Sequence, residues 1–184
     1  MSERERSWLL LIYKIPPEPS RNRVYVWRKI RGIGAIYIRN SVCIIPELQP
    51  LKEEFEKLDE EIKDLGGEST LLEVTSFSSE QEEELIGKFK ATRDKEYKEL
   101  IDQCKKFFAE IEKETDIGNF TSEEVEEEEQ ELEKLKNWFE RIKARDWFGA
   151  ELQDEARANI AHCEALLNNF ATEVYELIGE DKEV

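Results

Sequence analysis

The apolar residues of this chain change period near residue 78, and that change limits the folds open to it. Before it they come in short runs bounded by Pro, Gly and Asn. After it they recur at i, i+3, i+4 spacing towards the end of the chain. From Trp8 to Ile15 both alternations are apolar, Trp8, Leu10 and Ile12 on one and Leu9, Leu11 and Tyr13 on the other. That pattern predicts a central strand covered on both faces. Pro16, Pro17 and Pro19 end it, because proline cannot donate to a ladder. Ser20 is the predicted N-cap of a helix over 21–31, stopped by Gly32 and Gly34. Residues 35–38 and 42–45 predict a hairpin around Arg39-Asn40-Ser41. Pro50 precedes a helical stripe of Leu51, Phe55, Leu58, Ile62 and Leu65, closed by Gly66-Gly67. Residues 69–75 read as a fourth strand.

This order, βαββαβ, is the ferredoxin-like arrangement. Beyond it a helix is predicted over 80–113, with Ile86, Phe89, Tyr97, Leu100, Cys104, Phe107, Phe108 and Ile111 on its stripe. Asp116 to Asn119 breaks that helix, and Thr121 or Ser122 caps a second carrying Val125, Leu132, Leu135, Phe139 and Ile142. A break at Trp147-Phe148-Gly149 leads to a third with Leu152, Ala156, Ile160, Cys163, Leu167, Phe170, Val174 and Leu177. The expected fold class is therefore α+β: a ferredoxin-like unit over 1–78 and a three-helix extension over 79–184, forming one compact domain. The helices form an antiparallel bundle or pack on the open face of the sheet, and the doubly apolar first strand favours the second.

Charge divides the chain differently. Residues 1–45 carry nine Lys/Arg against three Asp/Glu, whereas the whole chain has a formal net charge of −17. So acidic a protein repels phosphate over most of its surface, which leaves only a local basic face for nucleic acid. Cys43, Cys104 and Cys163 form no CxxC pair and no metal-ligand spacing, so reduced thiols in a cytoplasmic protein are expected. The start, Met1 to Arg4, has no apolar signal core, and no run approaches a membrane span.

Four charged residues interrupt apolar stripes. Arg23 falls within the arc of Val24, Val26, Trp27 and Ile30, and Arg31 lies at its edge. Arg93 sits between Phe89 and Tyr97, Glu128 between Val125 and Leu132, and Asp146 four after Ile142. A charge on a packing face must be paired or reach water. Two readings stand: ion pairs that fix helix register, or a polar cavity that takes a ligand. Enzyme signatures are thin. The single histidine, His162, flanks the stripe and points away from its neighbour Cys163, and Gly32-Ile33-Gly34 lacks the rest of a phosphate loop. Neither a catalytic set, a metal site nor a cofactor is expected.

The run Trp8-Leu9-Leu10-Leu11-Ile12, Arg23 with Val26-Trp27-Arg28, Gly34-Ala35, and Ser41-Val42 through to Pro46 together resemble the N-terminal domain of the ChrB chromate-resistance proteins. So do the segment from Phe89 through Arg93 to Tyr97 and the segment Ile142 to Gly149, with Arg145, Asp146 and Phe148. The resemblance spans Trp8 to Leu167. It implies a role in bacterial chromate resistance, as a regulator acting with a chromate efflux transporter; longer members continue into a second domain. The first 78 residues also resemble the small domain of the phenylacetate-degradation repressors and the small CRISPR-associated endonucleases. Those nucleases place an aspartate near the end of the first strand, where this chain reads Tyr13-Lys14-Ile15, and the repressors' winged helix has no counterpart here.

The leading expectation is a non-enzymatic accessory or regulatory module. It binds a small oxyanion such as chromate through Arg23, Arg28, Arg31 and Arg93, with Tyr97, Glu128, Arg145 and Asp146 in support. Arginine suits a tetrahedral anion because its fork offers parallel hydrogen bonds. The alternatives are DNA binding by a homodimer through Arg21, Arg28 and Lys29, and a purely structural module that docks a protein partner.

Overall fold

The computed structural model describes residues 6–75 and 77–180. The Met1–Arg4 start, read above for a signal core, lies outside them. The elements run β1 (Trp8–Lys14), α1 (Ser20–Ile33), β2 (Ile36–Arg39), β3 (Val42–Pro46), α2 (Gln49–Asp64), β4 (Glu68–Val74), α3 (Ser79–Ile117), α4 (Ser122–Lys143) and α5 (Gln153–Glu180). The fold is α+β. Two compact units divide inside α3: Met1–Lys88 and Phe89–Val184. No helix among the described residues is long and apolar enough to cross a membrane.

In the first unit the four strands form one antiparallel sheet in the order β2-β3-β1-β4, as the βαββαβ pattern requires. Register places Leu9 opposite Ile45 and Leu11 opposite Cys43. These four side chains are buried on the face that carries the helices, together with Val26 and Ile30 of α1 and Phe55, Leu58 and Ile62 of α2. The Ser69 hydroxyl donates to the Asp59 carbonyl (3.2 Å), which ties α2 to β4 on that face. Each such fully buried aliphatic or aromatic side chain contributes about 1.5–3 kcal/mol.

The other face carries Trp8, Leu10, Ile12, Ile44 and Leu72. Trp8 and Ile44 are fully buried, whereas Ile12 is 40% and Leu72 42% exposed. β1 is thus covered on both faces only towards its start, and the two-sided cover expected along its whole length fails at Ile12. Ser20 does not cap α1: it is the first helical residue, and Pro19 takes the cap position with no side-chain bond. Gly34 ends α1 at φ 98°, a left-handed conformation that costs glycine little.

The second unit is a helical assembly around one core. Tyr97, Leu100, Cys104, Phe107 and Ile111 of α3 meet Leu132, Leu135, Phe139 and Ile142 of α4 and Ala156, Ile160, Cys163, Leu167, Phe170 and Val174 of α5. Cys104 and Cys163 are both free and fully buried in this core. Thr121 caps α4, its hydroxyl accepting from the Glu124 amide (3.2 Å). Leu177, expected on the stripe of α5, is 45% exposed; the packed stripe ends at Val174.

Candidate functional site

The charged residues on the stripes separate by unit and by burial. In the first unit Arg23, Arg28 and Arg31 are all exposed, which corrects the expectation that Arg23 lies on the packing side of α1. The buried stripe is Val26, Ile30 and Ile33, while Val24 and Trp27 are 44% and 45% exposed. Arg31 stacks on Trp27, its guanidinium carbon 4.9 Å from the ring centroid. Arg28 borders a cleft with Tyr25, Lys29 and Glu54. These are surface cations and not buried arginines.

Arg93, in the second unit, is buried as its stripe position predicts, only 3% exposed. Its Nη1 lies 3.3 Å from Oε2 of Glu96, one turn further along α3. The same oxygen stands 3.3 Å from Nη2 of Arg145, which follows α4. Two guanidiniums therefore converge on one carboxylate oxygen. Arg145 is oriented by a second bond, its Nε donating to the Arg141 carbonyl (2.9 Å), and its side chain is 19% exposed. The cluster thus has a buried end at Arg93 and a wetter end at Arg145.

Asp146 organises the turn beside it. Both its carboxylate oxygens accept the Ala150 amide at 3.0 Å. The Tyr97 hydroxyl donates to the same carboxylate (3.3 Å), and Gln153 Nε2 donates to both Asp146 (3.0 Å) and the Tyr97 oxygen (3.2 Å). Burial pushes the Tyr97 phenol up to about 12, so it stays protonated and serves as a donor at neutral pH, not as a base. A further bond runs from the Leu152 amide to Asp94 Oδ1 (2.8 Å). Phe89 packs against both Trp147 (5.8 Å between ring centroids) and Phe148 (5.3 Å). The segments 89–97 and 142–153 are thus partners in space, through ion pairs, hydrogen bonds and rings together.

Glu128 does not support these arginines. It is 7% exposed on α4, and among the described residues no hydrogen bond or ion pair holds it. Burial pushes its carboxyl up to about 7, reinforced by Glu124, Glu110, Glu131 and Glu114. Glu114 beside it is satisfied instead, by Lys113 (2.9 Å) and Asn119 (2.5 Å). Sequence reasoning also missed Glu96, Asp94 and Gln153. Only Glu96 carried a usable signal, the i, i+3 spacing from Arg93 that suits a helical ion pair.

The comparisons with known proteins bear on these same segments. The family model described as Protein ChrB, N-terminal, matches residues 23–181. The chain belongs to this ChrB N-terminal family. The match takes in both segments that meet around Glu96 and Asp146. Protein ChrB of Cupriavidus metallidurans is 31% identical over 100 residues, covering 54% of this chain and 30% of that protein. This ChrB-family chain therefore spans under a third of that relative in the aligned region. No solved structure matches it. Among the described residues no cluster of His, Cys, Asp and Glu is placed to hold a metal ion.

Proposed function

We propose that this chain is a non-enzymatic accessory or regulatory module of bacterial chromate resistance, working in the cytoplasm, and that it reads a tetrahedral oxyanion at Arg93 and Arg145. The observation that supports this reading is the convergence of both guanidiniums on Oε2 of Glu96. Both guanidiniums face this one oxygen in a half-buried setting, so an arriving anion meets two cations at a single point. A dianion such as chromate competes with Glu96 for the same N–H forks. Its arrival releases the Glu96 carboxylate and so changes how α3 is held to the turn that follows α4. Tyr97, Asp146 and Gln153 keep that turn in shape while the exchange occurs. The non-enzymatic reading rests on the residue chemistry: His162, the single histidine, stands exposed with its ring edge-on to Phe108 (4.6 Å).

Calorimetric titration with chromate, sulfate and phosphate tests the proposal. Saturable heat that is lost in Arg145→Gln is expected; no heat with any of the three overturns the oxyanion reading.

A second reading has its own observation. Arg21, Arg23, Arg28, Lys29 and Arg31 are all exposed on the 14-residue α1. A basic helix on an acidic protein suits a DNA backbone, read by a homodimer. Retardation of promoter DNA that weakens steeply with salt supports this reading, and retardation unchanged in Arg23→Gln/Arg28→Gln removes it.

A further inference from the structure

The first unit holds a cavity that the oxyanion reading does not use. It is a solvent-open depression of about 700 Å³ lined by Tyr13, Trp27, Tyr37, Arg39, Asn40 and Ser41, a volume that admits a small molecule with one side left in water. β1, α1 and the β2–β3 hairpin supply these residues. The hairpin is bent here: register shifts between Tyr37 and Arg39, and Ser41 turns at φ 60°. The Tyr13 amide donates to the Ser41 carbonyl (3.0 Å) and holds the turn against β1.

Three features of the lining select a ligand. The first is a pair of phenols. The Tyr13 and Tyr37 hydroxyls lie 2.8 Å apart and both residues are half-buried. One of the two donates to the other, so one O–H proton has no acceptor among the described residues. Burial pushes both phenols up from their ordinary value, which keeps that proton in place at neutral pH. The second is charge. In a chain with 44 Asp and Glu, this lining has one cation, Arg39, and no carboxylate. One Arg39 N–H is used on the Ile38 carbonyl (2.8 Å), and the fork has further donors. Glu84 faces Arg39 electrostatically from the start of α3, but it does not line the cavity. The third is aromatic surface. Trp27 is 45% exposed, an unusual outlay of indole on a helix surface, and the Arg31 guanidinium stacked on it restrains the ring.

We propose that this cavity binds a planar aromatic carboxylate. The ring lies among Trp27, Tyr13 and Tyr37, where flat apolar groups stack. The carboxylate takes the free phenolic proton and the Arg39 fork, a charge-assisted pair of contacts. The site stands apart from the Arg93–Glu96–Arg145 cluster in residues and in chemistry, so either assignment can fail without the other.

The experiment uses the full chain and 2-naphthoate as the probe, followed by calorimetry and by tryptophan fluorescence. Saturable binding is expected, weakened at least about tenfold in Arg39→Gln through loss of the ion pair and similarly in Trp27→Ala. Tyr37→Phe removes one phenol and is expected to weaken binding less. Arg145→Gln leaves the affinity unchanged. Circular dichroism confirms that each variant is folded. Absence of saturable binding overturns the assignment; so does equal binding of cyclohexanecarboxylate, which lacks the flat ring, or of 2-naphthamide, which lacks the charge.

Discussion

The carboxylate of Asp146 accepts the amide of Ala150 with both oxygens, each at 3.0 Å. This contact stands on a turn with no regular hydrogen-bond ladder of its own, so the side chain supplies what the backbone lacks. Because the same carboxylate also receives Tyr97 and Gln153, removing it leaves the Ala150 amide and the Tyr97 hydroxyl without an acceptor and takes one of two from Gln153. Asp146→Ala is expected to lose about 2–3 kcal/mol, in line with hydrogen bonds to a charged group. Urea unfolding reads the loss. A change below about 0.5 kcal/mol, the scale of an ordinary surface substitution, contradicts this role.

Glu96 neutralises a buried arginine. Glu96→Gln is expected to destabilise by about 3 kcal/mol, because it removes a carboxylate that neutralises a buried cation. Adding Arg93→Met to Glu96→Gln should recover part of that loss. The pair is then coupled, by about 1–3 kcal/mol in a double-mutant cycle. Simple additivity of the two substitutions argues that Arg93 and Glu96 do not act together.

Glu128 makes stability depend on pH in a defined direction. Unfolded, its carboxyl titrates near 4.5; folded, near 7. Between those values the folded chain holds a proton that the unfolded chain has released. The stability it confers is full below about 4.5 and is lost as pH rises through 7. Glu110 and Glu114 from α3 and Glu124 and Glu131 from α4 press in the same direction, while Lys113 neutralises Glu110 and Glu114 in part. Glu128→Gln is expected to match the parent protein near pH 4.5 and to exceed it by about 1–3 kcal/mol at pH 8. Thermal unfolding of both proteins across that range reads the difference, and parallel curves would contradict it.

Gly66 and Gly67, adjacent at the end of α2, are expected to respond differently to the same change. Gly66 has φ +76° with open space around it, so Gly66→Ala costs about 1 kcal/mol of backbone strain. A Cβ on Gly67 would stand 2.6 Å from the Lys14 carbonyl oxygen and 2.9 Å from Ile62 Cγ2. Backbone cannot step aside there as a flexible side chain does, and Gly67→Ala is expected to lose about 2–3 kcal/mol, as overpacked sites do. Chemical denaturation that ranks the two in the opposite order rules out this account.

The strand order and the helix positions were readable because they rest on local period. Two-sided apolarity in β1 and the proline and glycine stops placed most boundaries within a few residues. Arg93 and Glu128 were readable as buried charges for the same reason: both lie on long, regular stripes. Arg23 misled because Val24 and Trp27 pulled the apparent apolar arc of α1 away from Val26, Ile30 and Ile33. Hydrophobic character does not prove burial when a helix leaves apolar groups in solvent. The partners of the arginines were hidden for another reason. Arg145 reaches Glu96, and Asp146 reaches Tyr97, across 49 positions, and the turn that brings them together has no repeating pattern. The Tyr13–Tyr37 pair was equally out of reach, since it depends on strands separated by a whole helix.

The sheet order also sets a timetable for synthesis. β1 lies between β3 and β4, so the earliest of these four strands to be synthesised is the last of them to have both of its edges paired. Until Glu68–Val74 has emerged, one side of Trp8–Lys14 presents open amides and carbonyls beside Leu9 and Leu11. Long-range pairing of this kind is slow and leaves nascent strands open to wrong partners. The stretch from β1 to β4 is therefore the interval in which a nascent chain of this design most needs shelter from its neighbours.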